Sequence, residues 1–315
     1  MDSNENINQI IYKEYFDRID EIKKGKIRFS HYTSARVALS IIENKTIWLN
    51  NVQYMNDYTE VKLGNFLLTD FYNQDTGKEL RSVLEDISSG CRQDVEPNYN
   101  RILSKLRNTY AFCLTEHIED EDKLGRLSMW RAYAPKNGVA IVFNSDVFLE
   151  AVCNTKAMTI PMFYFDKREF AAAVNEFTDR INREKEKLKN SVDFKEQILD
   201  KFLITALSLK HKGFREEREW RILYNDAVSQ SLYPEIVKES IELINGVPRI
   251  IKKLKFSEIC FKNRIFNMNE LINKIIIGPD ANPEQLKEIF IKTLTKNGVS
   301  DADKKVECSN IPIRI

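Results

Sequence analysis

Apolar positions along the chain fall into helical and strand-like stretches that alternate irregularly. Ile7, Ile10, Ile11, Tyr15, Ile19 and Ile22 recur at helical spacing, which predicts an N-terminal helix over 1–24. Lys23, Lys24 and then Gly25 suit its C-terminal end. Residues 26–32 alternate as a strand, and Ala35, Ala38, Leu39 and Ile42 mark one face of a helix over 35–44. A short strand over 46–49 follows, and residues 58–73 and 78–87 then read as helices. In the middle, 109–115 and 139–143 read as strands, the second following the turn signal Asn137-Gly138. A charged helix over 167–189 and another over 194–210 come next, then strands over 219–224, 250–260 and 274–277. Asn282-Pro283-Glu284-Gln285 combines an N-cap, a first-turn proline and a capping-box partner, which opens a helix to about 296. Residues 306–315 close with strand character.

This order is neither a regular βαβ alternation nor a repeat. It predicts an α+β fold: a single domain over 1–315 with a mixed or antiparallel central sheet. Helical insertions interrupt it, the largest over 160–212. No linker rich in Pro, Gly or Ser divides the chain.

Composition narrows the chemistry. Of 315 residues, 43% are hydrophobic and 30% charged, and 48 basic residues against 47 acidic ones leave a formal charge of +1. Bulk electrostatics therefore supply no reason to bind nucleic acid or a membrane, and recognition of an anion must be local. The apolar run at 202–209 is too short to span a bilayer, and the acidic N-terminus has no signal-peptide core. The five cysteines include no CxxC pair, so a cytoplasmic protein without a zinc site or disulfide framework is expected. The ten glycines are all at least 13 positions apart, which excludes a P-loop, a GxGxxG turn and a GxSxG elbow.

Four polar clusters lie at element ends. In the first, His31 and Thr33 share a strand face opposite Tyr32, where they suit a ribose hydroxyl or a carbonyl; Thr33 or Ser34 equally suits a helix cap. The second, Asn51 with Asn56, Asp57 and Glu60, fits an Asx turn before a helix. The third is Trp130, Arg131 and Tyr133, which suits a planar phosphate-bearing ligand or, equally, a core aromatic pair. In the fourth, an extended chain from 217 onward would project Glu217, Glu219 and Arg221 from one face, with Trp220, Ile222 and Tyr224 on the other. Paired carboxylates suit cation stabilisation or general-base work; an ordinary half-buried strand explains the same pattern.

The motifs HYTS, IWLNN, LSMWRAY, GVAIVF, KHKGFREEREWR and IIIGP, in this order, resemble the prokaryotic family Domain of Unknown Function 2971. A strand-end His-Tyr-Thr, a later aromatic element and a Glu-x-Glu entering a late strand are also similar in order to ADP-ribosyltransferases. That second resemblance implies NAD as a substrate bound on a split mixed sheet. It implies that His31 and Thr33 contact the nicotinamide ribose or amide and that Tyr133 or Trp130 stacks on nicotinamide. Glu219 would be the catalytic carboxylate, Glu217 would orient the acceptor, and Arg131 or Arg221 would hold the pyrophosphate. Which of Glu216, Glu217 and Glu219 is central stays open. The reading is of an intracellular effector, in a toxin or phage-defence setting, acting on a nucleic acid or protein.

Two alternatives stand beside it. Asp57, Glu217 and Glu219 would supply oxygen ligands to Mg²⁺ in a metal-dependent nuclease. A non-enzymatic sensor would use the basic stretch of Arg249, Lys252, Lys253, Lys255, Lys262, Arg264 and Lys274 against a nucleic acid or acidic partner, with Glu258 and Glu270 the acids among them.

Overall fold

The computed structural model describes residues 3–55, 58–96, 107–134, 136–150, 157–225, 237–244, 246–256, 260–261, 264–265, 267–279 and 282–312. Among them the strands are β1 (Arg28–Ser34), β2 (Thr46–Asn51), β3 (Thr109–His117), β4 (Gly138–Phe143), β5 (Met158–Pro161), β6 (Phe163–Tyr164), β7 (Leu209–Lys210), β8 (Glu219–Asn225), β9 (Val237–Ile244), β10 (Val247–Lys255), β11 (Cys260–Phe261), β12 (Arg264–Ile265), β13 (Ile272–Ile277) and β14 (Val306–Cys308). The fold is α+β, as the pattern predicts, and its main sheet is mixed.

By internal contacts the chain forms two compact units, each assembled from three stretches. One comprises 1–20, 52–108 and 161–216 and is mainly helical. Its helices Tyr58–Asn73 and Phe194–Ser208 meet at Gly64, where a Cβ would lie 2.3 Å from the Ala206 carbonyl oxygen. Only glycine permits that approach. Tyr72 packs edge-on against Phe202, with ring centroids 5.8 Å apart, and its hydroxyl donates to the Arg92 carbonyl. Glu14 is held between Arg180 and Lys201, and these bonds keep its carboxyl below its usual range against the opposing effect of burial. The N-terminal segment is two helices, Ser3–Ile11 and Lys13–Lys24, rather than the one expected. Likewise the charged helix ends at Arg183, followed by a single turn, Lys185–Leu188.

The second unit comprises 21–51, 109–160 and 217–315 and contains the ten-stranded sheet. Its order is β14-β13-β4-β1-β3-β2-β10-β9, with β8 on β3 and β5 on β8. β13 pairs with β14 in parallel, whereas β1, β2, β3, β4, β8, β9, β10 and β13 pair with their other neighbours along this order antiparallel. β4 is buried along its whole length, as its run Val139-Ala140-Ile141-Val142-Phe143 requires. β8 is also buried on both faces up to Tyr224, not half-buried as its alternation suggests. Ser34 caps the helix Ala35–Asn44 by accepting from the Val37 backbone N–H. Asn282 makes no side-chain cap at the helix Pro283–Lys296, so the expected capping box does not form. No helix among the described residues is long and apolar enough to cross a membrane.

Candidate functional site

The site is set by how three strands share β3. One edge of β3 pairs with β8 from Thr109 to Thr115. The other edge is divided: β1 takes Thr115–His117 and β2 takes Tyr110 and Ala111. Over 112–114 that edge has no registered strand partner among the described residues, so the sheet is split there. His31 is the first β1 residue past the parting. Its Nδ1 lies 2.9 Å from the Cys113 carbonyl oxygen. A carbonyl only accepts, so Nδ1 carries the proton and Nε2 a lone pair. The ring lies against Phe112, with centroids 4.3 Å apart. Burial pushes the imidazole pKa down to about 4 despite the Cys113 bond, which keeps it neutral at pH 7.

Register assigns the faces. Ser30 is opposite Thr115, and Thr115 is opposite Glu219, so these three share a face with Cys113 and Arg221. His31 and Thr33 project from the other face, with Phe112 and Trp220. The sheet therefore separates His31 and Thr33 from Glu219 and Arg221 rather than gathering them.

The helix Leu127–Tyr133 covers the face that carries Tyr32. Trp130 packs edge-on against Tyr32 at 4.6 Å, is 2% exposed, and donates its indole N–H to the Leu124 carbonyl. It is a core residue and offers no ring to a ligand. Tyr133, one turn later, is 41% exposed, and its hydroxyl donates to Glu217 Oε1 at 2.8 Å. Arg131 is exposed on the same helix.

The fourth cluster departs from the extended geometry expected of it. Glu217 ends a 3-10 turn, Lys212–Glu217, and Arg218 takes a left-handed backbone with φ 45° before β8 begins at Glu219. Glu217 is thus not in line with Glu219 and Arg221. Its backbone carbonyl accepts from the Thr115 hydroxyl and from Arg126, and the Glu116 N–H donates to the Arg218 carbonyl. Glu219 is 6% exposed and Arg221 2%. Arg221 donates to both Glu219 oxygens, from Nε at 2.7 Å and from a terminal nitrogen at 3.2 Å. The half-buried carboxylate, held by an exposed phenol, is Glu217. Glu216 is exposed on the 3-10 turn.

A charged network beside this site escapes sequence reasoning. Asp122 meets Arg28 at 2.6 Å, His117 at 3.0 Å and Lys274 at 3.3 Å, while Glu121 meets Arg126 and Arg218. Burial opposes ionisation of Asp122, yet the Arg28 and His117 bonds hold its carboxyl below the usual range. Burial lowers the pKa of His117. The visible signal is the acidic run 116–122; His117 and Arg126 are close to it in sequence, but Arg28, Arg218 and Lys274 lie far away. Elsewhere a cavity of about 290 Å³ is lined by Ser34, Arg36, Lys136, Asn137, Asn282 and Gln285 among others, with two cations and no acid among the described lining residues.

Asn51 is buried in β2. Asn56 and Asp57 lie outside the described residues, as does the side chain of Glu60. No group of three His, Cys, Asp or Glu that could hold a metal occurs among the described residues. In the basic stretch, Lys252 pairs with Glu239, Lys253 with Glu242 and Lys274 with Asp122. Lys262, Glu258 and the Arg264 side chain lie outside the described residues.

Residues 129–222 match the family model described as protein of unknown function (DUF2971). That segment holds both Tyr133 and Glu217. No curated protein and no solved structure matches the chain.

Proposed function

We propose that this chain is an ADP-ribosyltransferase-like enzyme that takes NAD as substrate, with Glu217 as its acting carboxylate. The observation that carries the reading is the Tyr133–Glu217 hydrogen bond: an exposed phenol holding a half-buried carboxylate at the entry to β8. In the reaction the C1′–N bond to nicotinamide breaks and its electron pair leaves with nicotinamide. The cationic ribosyl carbon is stabilised by the Glu217 carboxylate. An acceptor O–H or N–H then bonds to C1′ and passes its proton to that carboxylate. Glu219, already neutralised by Arg221, suits a supporting part instead. Arg131, exposed on the same helix as Tyr133, offers a cation for a pyrophosphate.

The test is incubation with labelled NAD in the presence of protein, DNA and RNA. Nicotinamide release or label transfer is expected, lost in Glu217→Gln while the thermal unfolding midpoint is kept. Absence of both release and transfer with every acceptor defeats the reading.

A further inference from the structure

β9 and β10 form an antiparallel ribbon at the end of the sheet, registered from Val247↔Ile244 to Leu254↔Val237. β9 is the terminal strand of the sheet order, so among the described residues one of its edges carries no strand. Natural edge strands are normally shortened, bulged or covered against pairing. This one runs eight residues, Val237–Ile244, in continuous register with β10. Its exposed apolar side chains are concentrated on one face: Ile241 is 72% exposed and Leu243 71%, opposite Ile250 and Pro248 on β10. Such a contiguous apolar surface on a soluble scaffold marks an interaction site.

Charge decides the occupant. The ribbon's lysines are largely answered within the ribbon: Lys252 by Glu239 at 3.1 Å and Lys253 by Glu242 at 2.5 Å. A nucleic acid therefore finds few uncompensated cations here. By contrast, the β9 sequence is complementary to itself. With two copies antiparallel about Ser240, Lys238 of each lies opposite Glu242 of the other, and Val237 opposite Leu243. No like charges face each other in that register. Lys238 is exposed and makes no ion pair among the described residues. Glu242 receives Lys253 and Ser240 at Oε1, leaving Oε2 for a second ammonium.

We propose that β9 is a self-association edge at which a second copy of this chain adds its own β9 antiparallel, paired through Lys238 and Glu242 about a two-fold axis at Ser240. The contact is isologous and closes at two chains. It is independent of the transferase reading.

Light scattering on the full chain at low salt, from about 1 to 100 µM, tests it, with circular dichroism to confirm folding. The expected mass rises to that of two chains with concentration. Lys238→Glu should weaken the dimer on the order of tenfold by placing like charges opposite each other twice. Combining Lys238→Glu with Glu242→Lys should restore it, an outcome that a merely structural role for either residue does not produce. Ile241→Lys with Leu243→Lys should leave a folded monomer. A single-chain mass at every concentration overturns the proposal. So does a dimer indifferent to Lys238→Glu, or one that the charge swap fails to restore, since either points to another interface or partner.

Discussion

The His31 imidazole donates from Nδ1 to the Cys113 carbonyl, 2.9 Å away, at the point where β1 leaves β3. A backbone acceptor on an edge that no strand covers among the described residues is thereby satisfied by a side chain. The bond requires only a protonated Nδ1 and by itself favours the charged ring; burial outweighs it and lowers the pKa from 6.5 to about 4.

Stability should depend on pH through this residue. Between 6.5 and about 4 the unfolded chain takes up a proton that the folded ring refuses, so stability is complete above that window and falls as pH drops through it. His117, whose pKa is also lowered by burial, adds in the same direction. Urea unfolding at pH 7 and pH 4.5 should show a loss that shrinks by about 2 kcal/mol in His31→Gln. Equal losses in the two proteins would mean that His31 titrates normally.

Tyr133→Phe should separate chemistry from folding. The hydroxyl is exposed, so its bond to Glu217 contributes about 1 kcal/mol of stability or less. If Glu217 stabilises a ribosyl cation, losing the donor that orients it should lower NAD turnover about ten- to a hundredfold. Turnover at the wild-type level would leave the phenol no part in the reaction.

Much of the scaffold was legible because local patterns and tertiary packing agree. The helix Ala35–Asn44 appears with the expected bounds, since its apolar face faces the core and Ser34 caps it. β9 was missed: its apolar residues alternate with Lys238, Glu239 and Glu242 in a strand whose outward side chains are exposed, so composition resembles a loop. The site was less legible than the fold. Whether Trp130 or Tyr133 is buried depends on what the helix packs against, and spacing alone treats them alike. The alignment of Glu217 with Glu219 fails at Arg218, a left-handed residue that no glycine announces. The Asp122 network brings Arg28 and Lys274 to the 117–122 stretch, a proximity that only the fold creates.

Glycine substitutions should report the packing around Trp130. Gly125 has φ 65°, and a Cβ there would lie 2.8 Å from the Trp130 ring, which Tyr32 backs on the sheet side. Gly125→Ala combines backbone strain with overpacking and should cost about 2–4 kcal/mol. Gly246, at φ 79°, has nothing within 4 Å of a built Cβ. Gly246→Ala should therefore cost only the left-handed penalty, about 1 kcal/mol. Equal costs in chemical denaturation would show that the indole yields freely.

The Glu219–Arg221 pair supplies the sharpest distinction between a structural and a catalytic carboxylate. Both side chains are buried, and two hydrogen bonds join them along one strand face. A buried pair repays its desolvation mainly through its own geometry, so removing one partner exposes the full cost of burying the other. Arg221→Met should destabilise the protein by roughly 3–5 kcal/mol, whereas Glu219→Leu combined with Arg221→Met should recover most of that loss. Glu219→Gln leaves Arg221 with a weaker acceptor and should lower both stability and any NAD turnover together. Glu217→Gln, whose carboxylate is half-buried and held by an exposed phenol, should abolish turnover with stability nearly unchanged. If Glu219→Gln instead abolishes turnover at full stability, the acting carboxylate is Glu219, and the Arg221 bonds must open for the reaction to proceed.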